Sequence, residues 1–248
     1  MLKKETRRVY RVFSPFLRIF HWTVVVSCIV LFATGLYIAS PFSVFSLEPA
    51  TSGKYMNLIR DIHLIAAFIF TSSLILRIYG FIINKGDRLF PRVWEGHFYR
   101  EVIDVAKHYM FLSYHHRPYL RNPLARAAYA GFYFLAAFEI ATGFAIYFMQ
   151  GSALFENINL LTSGIYMSRV LHHYIAWIII LFGLGHIYLV FREDFMDGEG
   201  ELSSMVSGYK IYRHRPEDVD ELGKEAHTKE YWKNLAEIQK AEKAERGY

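Results

Sequence analysis

The 248-residue chain has one cysteine, Cys28, and no C-x-x-C-H motif. A single thiol excludes an internal disulfide, an iron–sulfur cluster ligated by this chain alone, and covalent haem attachment. Charge is scarce as well. Four long blocks, Ile19 to Ala39, Ile62 to Ile83, Ala127 to Met149 and Val170 to Phe191, together hold only two charged residues, Arg77 and Glu139. About 20 apolar residues suffice for a helix to cross the hydrocarbon core of a bilayer, so each block reads as a transmembrane helix. A soluble protein with the same 53% hydrophobic content would distribute it periodically rather than in blocks. A cleaved signal peptide is not expected, because the first block is too long for one and lacks an A-x-A exit.

The basic residues set an orientation. Six lie in residues 1–18 and eight in residues 84–126, whereas the other two connections hold only Lys54, Arg60 and Arg169. By the positive-inside rule both termini and the long middle connection are cytoplasmic. This bias accounts for the net charge of +5, so no nucleic-acid partner is read from it. Ser14-Pro15 marks the entry to the first helix, and an amphipathic surface helix is expected over Tyr99–Leu112. The chain turns soluble after Arg192, and a charged, helix-prone cytoplasmic tail occupies 213–248 beyond a membrane domain of 1–212.

Histidines stand out against these apolar blocks. The last block carries His172 and His186, 14 positions apart, which places them within about 40° of one helix face and about 21 Å apart along its axis. His173 would lie about 140° from His186. His21 sits just inside the cytoplasmic end of the first block and His63 just inside the periplasmic end of the second. Because the helices alternate in direction, His21 pairs by depth with His186, and His63 with His172. An intramembrane histidine is costly without a partner and is therefore a functional candidate. Two pairs at matched depths, each drawn from two helices, are what two six-coordinate b-type haems need. The plainer reading of any one of them is a hydrogen-bonded interior histidine. Zinc would want its ligands gathered at one depth. His97, His108, His115, His116, His173, His214 and His227 lie in loops or on the wrong face, and most of them read as solvated bystanders.

Other residues leave alternatives open. Glu139, mid-span, is either a proton relay or a neutral hydrogen-bonding group. Arg77 either snorkels to the interface or holds a haem propionate, and Arg18 is a second propionate candidate. A short repeat, Ala33-Thr34-Gly35 and Ala141-Thr142-Gly143, supplies small residues that let a helix or porphyrin approach; Gly183 and Gly185 offer the same beside His186. A transporter or channel would show a polar path, which nearly charge-free spans do not provide. A purely structural anchor leaves the paired histidines unexplained. The expected fold is an all-α integral membrane protein, a four-transmembrane-helix bundle binding two b haems with a long cytoplasmic middle loop and a soluble tail.

Across residues 8–212 the chain resembles the cytochrome b subunit of membrane-bound nickel–iron uptake hydrogenases. The segments that carry the resemblance are RIFHW (18–22), IRDIHL (59–64), RNPLARAAY (121–129), ATGFAIY (141–147) and GHIYLVFREDFM running into SSMVSGYK (185–210). The last run is the best discriminator from sister di-haem cytochromes such as formate dehydrogenase gamma subunits, and the alternative reading is the equivalent subunit of another such periplasmic dehydrogenase. The resemblance implies haem axial ligands at His21, His63, His172 and His186. It implies a complex with a nickel–iron large subunit and an iron–sulfur small subunit in the bacterial inner membrane. Electrons from H2 would enter at the periplasmic haem, cross to the cytoplasmic one and reduce menaquinone or ubiquinone. By similarity to the formate dehydrogenase subunits, Asn122 corresponds to a quinone-contacting asparagine near the cytoplasmic haem; the alternative is that Asn122-Pro123 caps the third helix.

Overall fold

The computed structural model describes residues 8–41, 54–83, 91, 93–94, 96–113, 119, 122–148 and 152–212. The tail from 213 onward, which includes His214 and His227, lies outside the described residues, as do His115 and His116 of the middle connection.

Four helices are long and apolar enough to cross a membrane: α1 (Pro15–Ala39), α2 (Lys54–Ile83), α4 (Pro123–Tyr147) and α6 (Ile165–Asp197). Local chemistry sets two of their starts. The Ser14 hydroxyl accepts from the Leu17 N–H at 3.2 Å with Pro15 following, which satisfies a donor that the first turn leaves unpaired. Asn122 caps α4 in the same way, its Oδ1 accepting from Leu124 N (2.9 Å) and Ala125 N (3.3 Å) ahead of Pro123. α6 stops at Gly198, which adopts the left-handed conformation.

The spans are apolar around their whole circumference, and large side chains such as Ile19, Ile29, Ile65, Ile78, Leu181 and Leu184 point outward. In water that would be untenable. In lipid it costs nothing, and the helices already satisfy their own backbone groups. Inside, α1 packs on α2 and α4 on α6, and α1 also meets α6. Val24, Phe70, Leu74 and Ala136 form the buried cluster where α1, α2 and α4 converge. Small residues permit the close approaches. Ala136 is fully buried, and a Cβ at Gly80 would fall 2.4 Å from the Phe16 ring.

The expected surface helix is present as α3 (Gly96–Tyr109), three residues earlier than anticipated. It buries Phe98, Val105 and His108 and packs against α4. It ends because Phe111 takes a positive φ of 62°, while Leu112 N–H bonds back to the Lys107 carbonyl at 2.8 Å.

The all-α expectation needs a correction. Arg8–Arg11 (β1) and Tyr209–Tyr212 (β2) form an antiparallel two-stranded sheet, with Arg8 opposite Tyr212 and Arg11 opposite Tyr209. The sheet joins the two ends of the described chain. The Tyr212 side chain is fully buried and its hydroxyl donates to the Tyr119 carbonyl at 3.0 Å. Two short helices were also not anticipated, α5 (Ala153–Leu161) and α7 (Glu201–Ser207). Asn159 of α5 fixes the α5–α6 corner: its amide donates to the Ala145 carbonyl at 2.9 Å and its Oδ1 accepts from Ser168 at 2.6 Å.

Candidate functional site

α1 and α6 bring His21 and His186 together, with ring centroids 6.3 Å apart and ring planes inclined at 61°. That separation suits a single iron between them: two metal–nitrogen bonds of about 2 Å, plus about 1 Å from each nitrogen to its ring centre. Each imidazole is held by aromatic neighbours. Trp22 meets His21 edge-on at 5.3 Å; Phe182 stacks on His186 and Tyr129 meets it edge-on. His21 Nδ1 is buried with no hydrogen-bond partner among the described residues.

His63 of α2 and His172 of α6 are electrostatic neighbours at a second level. Their surroundings differ from those of the first pair. His63 Nδ1 lies 2.8 Å from the Thr34 hydroxyl of α1, and His172 Nδ1 lies 3.2 Å from the Thr142 hydroxyl of α4. The glycines that follow make room for the same two rings. A Cβ at Gly35 would lie 3.4 Å from His63 Cε1, and one at Gly143 would lie 3.0 Å from His172 Cε1. Among the described residues, nothing lies within 4 Å of a Cβ added at Gly183 or Gly185. Among the described residues, no three of His, Cys, Asp and Glu converge on a point that would hold a bare metal ion. Imidazoles in pairs, cradled by glycines and aromatic rings, are a donor set that fits b haem.

Glu139 lies beside this second level, with Oε1 3.3 Å from His172 Nδ1 and Oε2 buried without a hydrogen-bond partner among the described residues. Its sequence context gave no partner, and the structure supplies one. Arg77 does not snorkel. It is 4% exposed, its Nε donates to the Tyr133 hydroxyl at 3.3 Å, and its guanidinium lies over the Phe20 ring, next to His21. Arg18 reaches the Val206 carbonyl at the end of α7.

Asn122 caps α4, and its amide also donates to the Tyr109 hydroxyl at 2.9 Å. Burial pushes the Tyr109 phenol well above its ordinary pKa. The Arg192 guanidinium lies over the Tyr109 and Phe111 rings and bonds both His108 Nε2 (3.2 Å) and Glu193 (3.1 Å). His108 is thus no solvated bystander. It is buried and accepts from Arg192, so the expectation is corrected. Its partner is 84 residues away, and only its place on the inner face of an amphipathic helix hinted at burial. His173 does turn aside, accepting from the Trp177 indole at 3.1 Å, and His97 is exposed.

Comparison with known proteins gives the family. The family model of prokaryotic cytochrome b561 matches residues 12–208. The chain is 34% identical over 216 residues to the probable Ni/Fe-hydrogenase 1 B-type cytochrome subunit of Escherichia coli K12, covering 82% of this chain and 91% of that one. The probable Ni/Fe-hydrogenase B-type cytochrome subunit of Cupriavidus necator is 33% identical over 221 residues, covering 85% and 90%. The corresponding protein of Rhizobium leguminosarum is 31% identical over 223 residues, covering 85% and 92%.

Proposed function

The chain belongs to the prokaryotic cytochrome b561 family as a hydrogenase-associated b-type cytochrome subunit, and on that premise we propose that it anchors a periplasmic nickel–iron hydrogenase in the bacterial inner membrane and passes its electrons to the quinone pool. His21 and His186 would hold one b haem, and His63 and His172 a second. A haem with two axial imidazoles exchanges single electrons and keeps no open iron position for oxygen or another small ligand. The protein's part is to fix these four imidazoles at two levels, to pack aromatic and glycine surfaces around them, and to exclude water between apolar helices.

The observation that carries the reading is the 6.3 Å opposition of the His21 and His186 rings between two different spans. Both termini, the middle connection and a separate tail domain of 213–248 are assigned to the cytoplasm on the distribution of basic residues. The partners are the nickel–iron large subunit and the iron–sulfur small subunit. Asn122, joined to Tyr109 at the start of α4, is the proposed quinone contact at the cytoplasmic end. The names of the relatives do not favour a formate dehydrogenase partner.

Purified protein should contain two b haems per chain by pyridine haemochrome. His63→Ala should lose one of them and block H2-driven quinone reduction, while the catalytic subunits still pass electrons from H2 to a soluble dye. Two haems and normal quinone reduction in that variant would overturn the assignment.

A further inference from the structure

We propose that the two Ala-Thr-Gly segments are histidine-orienting modules, in which Thr34 and Thr142 take the Nδ1 protons of His63 and His172 and thereby present both Nε2 atoms as the metal-binding nitrogens of one haem level. The inference deepens the haem reading above and rests on it.

The hydroxyl proton decides the direction of each bond. A threonine has one proton to give. Thr34 gives it to its own helix, at 2.7 Å from the Val30 carbonyl, and Thr142 does the same at 2.9 Å from the Phe138 carbonyl. Toward the histidines each hydroxyl is therefore an acceptor, so Nδ1 carries the ring proton and Nε2 keeps its lone pair. The glycine that follows completes the module by leaving space at Cε1.

The arrangement occurs twice with nearly the same spacing, 29 residues from Thr34 to His63 and 30 from Thr142 to His172. It joins α1 to α2 in one half of the bundle and α4 to α6 in the other. It is missing at the other level, where His21 Nδ1 has no hydrogen-bond partner among the described residues. The two levels are thus built differently. Accepting a proton from Nδ1 makes the imidazole a stronger donor through Nε2, which favours ferric over ferrous iron. The copies are also unequal, because Glu139 Oε1 lies 3.3 Å from His172 Nδ1 as a second polar neighbour, and His63 has no carboxylate beside it among the described contacts.

The test uses the complete purified protein, with wild type, Thr34→Val, Thr34→Ser and Thr142→Val titrated electrochemically and examined by low-temperature electron paramagnetic resonance. Thr34→Val should weaken the ferric preference of one haem by up to about tenfold, a rise of up to about 59 mV for one electron, and change its low-spin ferric signal. The second haem should keep its wild-type values. Thr34→Ser should restore both readings, and Thr142→Val should shift the same haem by less. Loss of one haem in Thr34→Val but not in Thr34→Ser also supports the module. Unchanged potentials and spectra in Thr34→Val, or equal haem loss in the valine and serine variants, would overturn it. Wild-type protein without haem would overturn the proposed function itself.

Discussion

A methyl group at position 143 would stand 3.0 Å from His172 Cε1, inside ordinary contact, whereas one at position 35 would stand 3.4 Å from His63 Cε1, at its edge. The two glycines should therefore respond unequally to the same change. Gly143→Ala is expected to displace the His172 ring and lower haem content to about one per chain, at an overpacking cost of about 1–3 kcal/mol. Gly35→Ala should leave both haems in place. Haem-to-protein ratios of the two variants decide the matter, and equal ratios would show that the glycines do not cradle the rings. The repeat that contains them was legible in the sequence, as were the histidines, because apolar blocks make any polar residue conspicuous. What it could not reveal was the partner of each threonine, since Thr34 and His63 meet only when two antiparallel helices pack in register. Glu139 and His108 were misjudged or left open for the same reason. Their neighbours, His172 and Arg192, lie 33 and 84 positions along the chain.

Helix ends show where local chemistry suffices. Ser14-Pro15 and Asn122-Pro123 carry their own capping oxygen and pre-set φ, so the starts of α1 and α4 could be read directly. At Asn122 the two side-chain functions can be separated. Asn122→Asp keeps the oxygen that caps α4 but loses the amide that donates to Tyr109, whereas Asn122→Ala loses both. The alanine variant should cost about 1 kcal/mol of stability from the cap, read as a lower thermal midpoint, and the aspartate variant should cost less. If Asn122 also contacts quinone, both variants should raise the KM for quinone to a similar extent. The aspartate variant reaching wild-type KM would restrict the residue to capping. The α5–α6 corner was beyond sequence reasoning, because a nine-residue helix in an apolar connection has no boundary signal of its own. It turns on Gly164, whose φ of 104° and ψ of 166° suit glycine almost alone. Gly164→Ala should cost about 1–3 kcal/mol and show as a lower melting temperature. An unchanged one would place the strain elsewhere.

At the scale of the whole molecule, four spans return the chain to the side from which it started, and the β1–β2 sheet makes that closure physical. Sequence reading gave the parity, since blocks of apolar residues count themselves. The strands were invisible to it, because four-residue segments about 200 positions apart have no local pattern that pairs them. Their register yields a direct test. Val12 N–H bonds to the Gly208 carbonyl at 2.9 Å, so by alternation Val9 and Ile211 form a non-hydrogen-bonded pair, in which Cα atoms lie about 4.5 Å apart. That distance falls within the range for a disulfide. Both side chains are exposed. In a Cys28→Ser background, Val9→Cys with Ile211→Cys should oxidise to a crosslink that closes most of the chain into a loop and speeds its migration in a denaturing gel. The single Val9→Cys variant should react with a membrane-impermeant thiol reagent only after spheroplasts are opened, because the proposed orientation, read from the basic flanks, has this sheet on the cytoplasmic side. Labelling of intact spheroplasts would invert the protein in the membrane. His63 and His172 would then face the cytoplasm, and a periplasmic hydrogenase would meet the His21/His186 level instead.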